Sequence, residues 1–185
     1  MRQIKCITAF ILLLSMSLIF AQEAPAFRAE EPVLISSAGQ SADVLMAKIL
    51  AGKAGIEFEL DKMADAKKLE GIKSLILVSG GSTKGLGAAK IDKEQEYERV
   101  EDLIKAAKKL DVKIILLHVG GKSRRGPLSD YFNQLVAENA DHMVVVVSGN
   151  DDGYFTKIAK DKQIDLELPE KIVAIQDILK VIYAK

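Results

Sequence analysis

Three runs constrain the fold more than anything else in the chain: Ser74 to Ser79 reads SLILVS, Lys113 to Val119 reads KIILLHV, and His142 to Ser148 reads HMVVVVS. They are almost unbroken in Val, Ile and Leu, with no alternation of apolar and polar residues. Strands of that kind are buried on both faces, and they belong to parallel sheets covered by helices on each side. Parallel neighbours need long crossovers between them, and the intervening sequence supplies helical patterns. One runs from about Gln40 to Ala54 with Val44, Leu45, Ile49 and Leu50 on its apolar side, and a short one lies around Lys62 to Leu69. Asp92 and Gln95 form a capping pair for a helix that reaches about Leu110, with Val100, Leu103, Ile104 and Ala107 facing inward. Pro127 suits the first turn of a helix to about Asn139, and further helices fit Asp152 to Lys162 and Ile172 to Tyr183. Val33 to Ser36, Glu57 to Leu60 and Leu166 to Leu168 are weaker strands. The fold class that follows is α/β: a three-layer, doubly wound, mainly parallel sheet of five to six strands with right-handed crossovers. Both a Rossmann-like and a flavodoxin-like strand order fit.

The N-terminus sets the compartment. Arg2 and Lys5 precede an apolar run from Ile7 to Ala21, the order of a secretory signal. Cleavage is expected after Ala21, with Ala24-Pro25-Ala26 as a second small-residue site. The expected organisation is a signal peptide over 1–21, or as far as 26, then a polar leader over 22–32, then one α/β domain over 33–185. The working protein is expected to be exported, periplasmic or extracellular. Its single cysteine, Cys6, precedes the apolar run. Removal of the signal leaves a chain without disulfides, thiolate metal sites or a cysteine nucleophile. It also leaves 24 basic residues against 26 acidic ones, because Arg2 and Lys5 are the only charges lost. A formal charge of −2 provides no general field for nucleic acid or anionic lipid, and Trp is absent. No nucleic-acid partner and no membrane contact after cleavage are expected, and oligomeric state is not legible.

Open α/β sheets bind ligands in the loops at the carboxyl ends of their strands, and here those loops are the unusual segments. They are Ser36-Ser37-Ala38-Gly39-Gln40 after the first strand and Gly80-Gly81-Ser82-Thr83-Lys84 after the third. Gly120-Gly121 with Arg124 and Arg125 follow the fourth, and Ser148-Gly149-Asn150 follow the fifth. The opposite edge carries no glycine cluster. Glycine lets backbone N–H groups approach a ligand, and hydroxyls and cations beside them favour a negative group. The leading expectation is therefore a small anionic ligand, a phosphate or carboxylate, with Arg124 and Arg125 as a clamp. In the bland reading these glycines only turn the chain. No loop carries a nucleotide fingerprint: Lys84 is followed by Gly85, and Lys90 stands where a third dinucleotide-turn glycine would be. No cofactor is indicated. The connection from Ser79 to Asp92, about twelve residues, is long for its type and is able to close over a ligand or to form a surface excursion.

His118 ends a buried strand at the ligand edge and is the candidate general acid or base. A histidine bonded to backbone is the structural alternative, and His142, at the other edge, reads as structural. Ser36 or Ser82 with His118 and Asp151 supply the residue types of a serine hydrolase, but the Gly-x-Ser-x-Gly elbow is missing. No metal site is expected, since Asp151 and Asp152 suit a helix cap. Three functions remain: an anion-binding domain, a hydrolase or transferase on an envelope metabolite using His118, and a protein-interaction module with no small-molecule ligand.

The segments SAGQSADV, GGSTKGLGAAKID, HVGGKSRRGPLSD and SGNDDGYFTKIA together resemble an uncharacterised family of exported bacterial proteins classed as a domain of unknown function. The likeness covers essentially the whole mature chain. It implies a bacterial, exported, single-domain protein and supplies no activity, cofactor or catalytic residue.

Overall fold

The computed structural model describes residues 27–184, so the signal segment and both cleavage sites, at Ala21 and Ala26, lie outside the described residues. Strands β1 (Val33–Ala38), β2 (Phe58–Leu60), β3 (Ser74–Ser79), β4 (Lys113–His118), β5 (His142–Val145) and β6 (Asp165–Glu167) form one sheet in the order β2-β1-β3-β4-β5-β6. Every pairing in it is parallel. The α/β class is as expected, and the order is flavodoxin-like with β6 added at the far edge. Winding reverses between β1 and β3, which makes that gap the topological switch point.

Around the sheet lie α1 (Asp43–Ala54), α2 (Thr83–Ala89), α3 (Lys93–Lys109), α4 (Pro127–Ala137), α5 (Tyr154–Lys162) and α6 (Ile175–Ile182). Successive strand residues point to opposite faces. Leu34, Leu75, Leu77, Ile114, Leu116, Met143 and Val145 pack beneath α3, α4 and α5. Val33, Ile35, Ile76, Val78, Ile115, Leu117 and Val144 pack beneath α1 and α6. This double burial is why the strands are apolar throughout. The capping box at α3 forms as expected, with the Gln95 amide donating to Asp92 at 2.7 Å and the Asp92 amide donating to Gln95 at 3.0 Å.

Three local expectations are corrected. Residues 62–69 form no α-helix, only a 3₁₀ turn at Ala66–Leu69 whose single buried residue is Leu69, too little apolar anchorage for a full helix. The connection after β3 is no open loop, because it contains α2, capped by the Ser82 hydroxyl, which accepts from the Gly85 amide at 3.1 Å. In α1, Leu45 and Ile49 point outward and are each 50% exposed, while Val44, Ala47, Leu50 and Ala51 face the sheet. The small alanines let the helix lie close to the strands, and the chain is apolar enough on every side that periodicity did not select the face.

The leader crosses the amino edge of the sheet. Phe27 stacks on His142 with ring centres 4.6 Å apart, the Ala29 amide donates to the Ile182 carbonyl, and the Ser74 hydroxyl donates to the Glu30 carbonyl. The loops at the carboxyl edge are thus left as the opposite, separate surface.

Candidate functional site at the carboxyl edge of the sheet

The switch point is closed by the chain itself. The Gly80 amide donates to the Ala38 carbonyl and the Ser82 amide to the Gly39 carbonyl, both at 2.9 Å, and Gln40 and Gly81 form an antiparallel bridge. Gly39 makes this contact geometrically feasible: its φ is +103°, and a Cβ there would stand 2.6 Å from the Gly80 carbonyl oxygen. The Gly81 amide donates to the Ser129 hydroxyl at 3.1 Å. The glycines after β1 and β3 therefore bring two loops together, and their amides already have partners.

A buried ion pair fastens this closure. Glu96 of α3 is fully buried and accepts from the Gly39 amide at 2.9 Å and from Gln40 Nε2 at 3.0 Å. Arg99 grips the same carboxylate through Nε and Nη2, both at 2.8 Å, and also donates to the Ala64 and Ser37 carbonyls. Neither residue stood out in the sequence, where α3 looks evenly charged. The readable signal was spacing, since Glu96 lies one turn before Val100 on the stripe that continues through Leu103 and Ala107.

The two arginines after β4 have different surroundings. Arg125 donates to Asp130, to both oxygens of Asp152 and to the Gly149 carbonyl, and its guanidinium lies 4.4 Å from the centre of the Tyr154 ring. Hydrogen bonding to Arg125 pulls the Asp152 carboxyl down to about 2. The Asp130 carboxyl is also lowered: burial opposes this, but hydrogen bonds from Arg125, Asn133 and the Gly126 amide outweigh it. Arg124 makes one side-chain hydrogen bond among the described residues, from Nε to Asp43 at 3.0 Å. Its stem lies against Gly80, where a Cβ would meet it at 3.2 Å, and over Gly120, where a Cβ would collide with both Arg124 and Asp43. Nη1 and Nη2 of Arg124 have no hydrogen-bond partner among the described residues, and the side chain is 27% exposed.

An open cleft of about 370 Å³ adjoins this turn, lined by Lys122, Arg125, Gly126, Asp130, Ser148, Asp151 and Asp152. Thr83 and Lys84 are exposed in the first turn of α2. Gly121 and Gly149 close on neighbours: a Cβ on Gly121 would meet the Ser148 hydroxyl at 2.5 Å, and one on Gly149 would meet the His118 ring at 2.7 Å. Asn150 caps α5, accepting from the Phe155 amide at 2.8 Å. Ser36 and Ser37 are buried within β1, and their hydroxyls have no partner among the described residues.

His118 is fully buried. Its Nε2 lies 3.2 Å from the Gly121 carbonyl oxygen, and its ring lies 5.1 Å from that of Phe155. Burial pushes its pKa below 6.5, against the carbonyl contact with Gly121. The ring lies buried against Gly149. His142, buried at the amino edge, is lowered by burial as well. No group of three or more His, Cys, Asp or Glu able to hold a metal ion occurs among the described residues.

Strand order and site together define a doubly wound α/β domain of flavodoxin-like order whose switch point is sealed and whose accessible polar surface has moved to the turn after β4. The chain belongs to the family described as Domain of unknown function (DUF6305), which matches residues 30–183. A search of curated proteins finds no match. Among solved structures, a GDSL-like lipase from Bacteroides thetaiotaomicron is similar at 12% identity and a TM-score of 0.33, covering 72% of this chain and 65% of the lipase. An archaeal fructose 1,6-bisphosphate aldolase is similar at 10% identity and a TM-score of 0.32, covering 81% and 91%. An SGNH-hydrolase family esterase is similar at 9% identity and a TM-score of 0.29, covering 77% and 76%. At these identities and scores, nothing of those proteins' chemistry is carried over.

Proposed function

We propose that this is an exported domain that binds a small anionic molecule at the carboxyl edge of its sheet, with Arg124 as the principal contact. The observation that supports it is the state of that side chain. Asp43 holds Nε, while the end-on pair Nη1 and Nη2, without a partner among the described residues, can form two parallel bonds to a carboxylate or phosphate. Lys122 and Lys84, exposed on flanking elements, add positive charge at the same edge. Arg125 is given no ligand role, because its donors are already taken by Asp130, Asp152 and the Gly149 carbonyl. An acid–base role for His118 has no comparable support: a ring without exposure offers no path to a substrate.

Calorimetric titration with inorganic phosphate and with citrate tests the reading. Losing a charge-assisted pair of hydrogen bonds is worth about 1.5–3 kcal/mol, so Arg124→Ala should weaken binding by about tenfold or more. Binding that is unchanged in this variant, or absent for both anions in the parent protein, overturns the proposal. Export is checked by the mass of the protein recovered from the periplasm, which should begin at Gln22 or Phe27.

A further inference from the structure

We infer that the outer face of α1 docks onto an anionic phospholipid surface. A helix lying on a sheet normally carries polar residues on its solvent side. In α1 the residues directed outward are Leu45, Met46 and Ile49, 50%, 40% and 50% exposed, together with Lys48 and Lys53. At 100° per residue Leu45, Ile49 and Met46 form one contiguous stripe, with Lys48 on its flank and Lys53 at its C-terminal end. The one carboxylate of the helix, Asp43, is turned aside into its pair with Arg124. Contiguous exposed apolar surface of this kind marks an interaction site.

Charge selects the occupant. Two copies of this face brought together would bury lysines from both molecules in an apolar seam, with no unpaired carboxylate of α1 to meet them. A leaflet rich in anionic headgroups meets both halves of the pattern: the apolar side chains enter the headgroup boundary, and the lysines reach the phosphates on their long stems. A helix docked by one face lies in the headgroup plane, a lateral and reversible contact. The overall charge balance, which argues against a general attraction to lipid, does not see two lysines on a helix whose one carboxylate is paired elsewhere.

Flotation of the mature exported protein with vesicles tests this, comparing phosphatidylcholine alone with an equal mixture of phosphatidylcholine and phosphatidylglycerol. The protein should float with the mixed vesicles and not with phosphatidylcholine alone. Ile49→Glu should abolish flotation, and the pair Lys48→Glu with Lys53→Glu should reduce it about tenfold or more. Both changes are at exposed positions, and unchanged circular dichroism would show that the fold is retained. Ile49→Glu should still bind inorganic phosphate as the parent does, which separates this surface from the anion site. Failure to float with the mixed vesicles overturns the inference, as does flotation that survives Ile49→Glu. Sedimentation showing a dimer that Ile49→Glu dissolves would assign the face to a second copy instead.

Discussion

Arg124 and Arg125 are neighbours in sequence and equivalent by type, yet the fold gives them different surroundings. Arg125 is 14% exposed and ties the turn after β4 to the start of α4 and to the loop before α5. Its loss removes the charge partner of Asp130 and Asp152 and the donor to the Gly149 carbonyl, so Arg125→Met should cost about 2 kcal/mol or more at pH 7, read from urea unfolding. The pH dependence has a definite sign. Asp130 and Asp152 both titrate below their unfolded values, so the stability they contribute is present above the ordinary carboxylate value of 3.8 and is lost as pH falls through their lowered values, about 2 for Asp152. Arg125→Met should flatten that acid limb, and an equally steep limb in the variant would show that other carboxylates cause it. The sequence exposed the presence of two arginines at the ligand edge. Which of them had partners depended on Asp43, Asp130 and Asp152, which are remote or unremarkable along the chain.

At the scale of elements, the glycine-rich loops are the clearest case of a visible signal with two physical readings. The sequence placed the glycines at the carboxyl edge, and the structure shows several of them accommodating the chain's own atoms. α2 contains a matched pair for testing this. Gly85 lies against the Gln40 backbone, so a Cβ there collides with a carbonyl that cannot move aside, whereas nothing lies within 4 Å of the corresponding position on Gly87. Gly85→Ala should destabilise by about 2 kcal/mol or more through overpacking, and Gly87→Ala should stabilise by roughly 0.5–1 kcal/mol through helix propensity. Thermal unfolding of the two variants compares them directly, and equal shifts would refute the packing role of Gly85. Helix α2 itself was obscured, since Gly85 and Gly87 within a seven-residue helix read as loop. The inward face of α1 was only half placed, Val44 and Leu50 rightly and Leu45 and Ile49 wrongly, for the opposite reason: every face was apolar enough to be a candidate.

For the whole molecule, burial on both sides of the sheet predicts a gradient of stability from centre to edge. Amides of Leu75 to Val78 in β3 and Ile114 to Leu117 in β4 are shielded by both helical layers and should exchange with solvent only on global unfolding. Those of β2 and β6, three residues each at the sheet margins, should exchange by local opening, as native-state hydrogen exchange will read. Uniform protection across all six strands would contradict this. The same double burial made the fold class legible, because it writes continuous Val, Ile and Leu runs into the strands and amphipathic stripes into α3. Strand order, the sealing of the switch point and the pairing of Glu96 with Arg99 were not legible in that way. They arise where residues far apart along the chain meet, Gly39 with Gly80, Gln40 with Glu96, Asp43 with Arg124, and local periodicity carries no record of which distant partner a side chain will find.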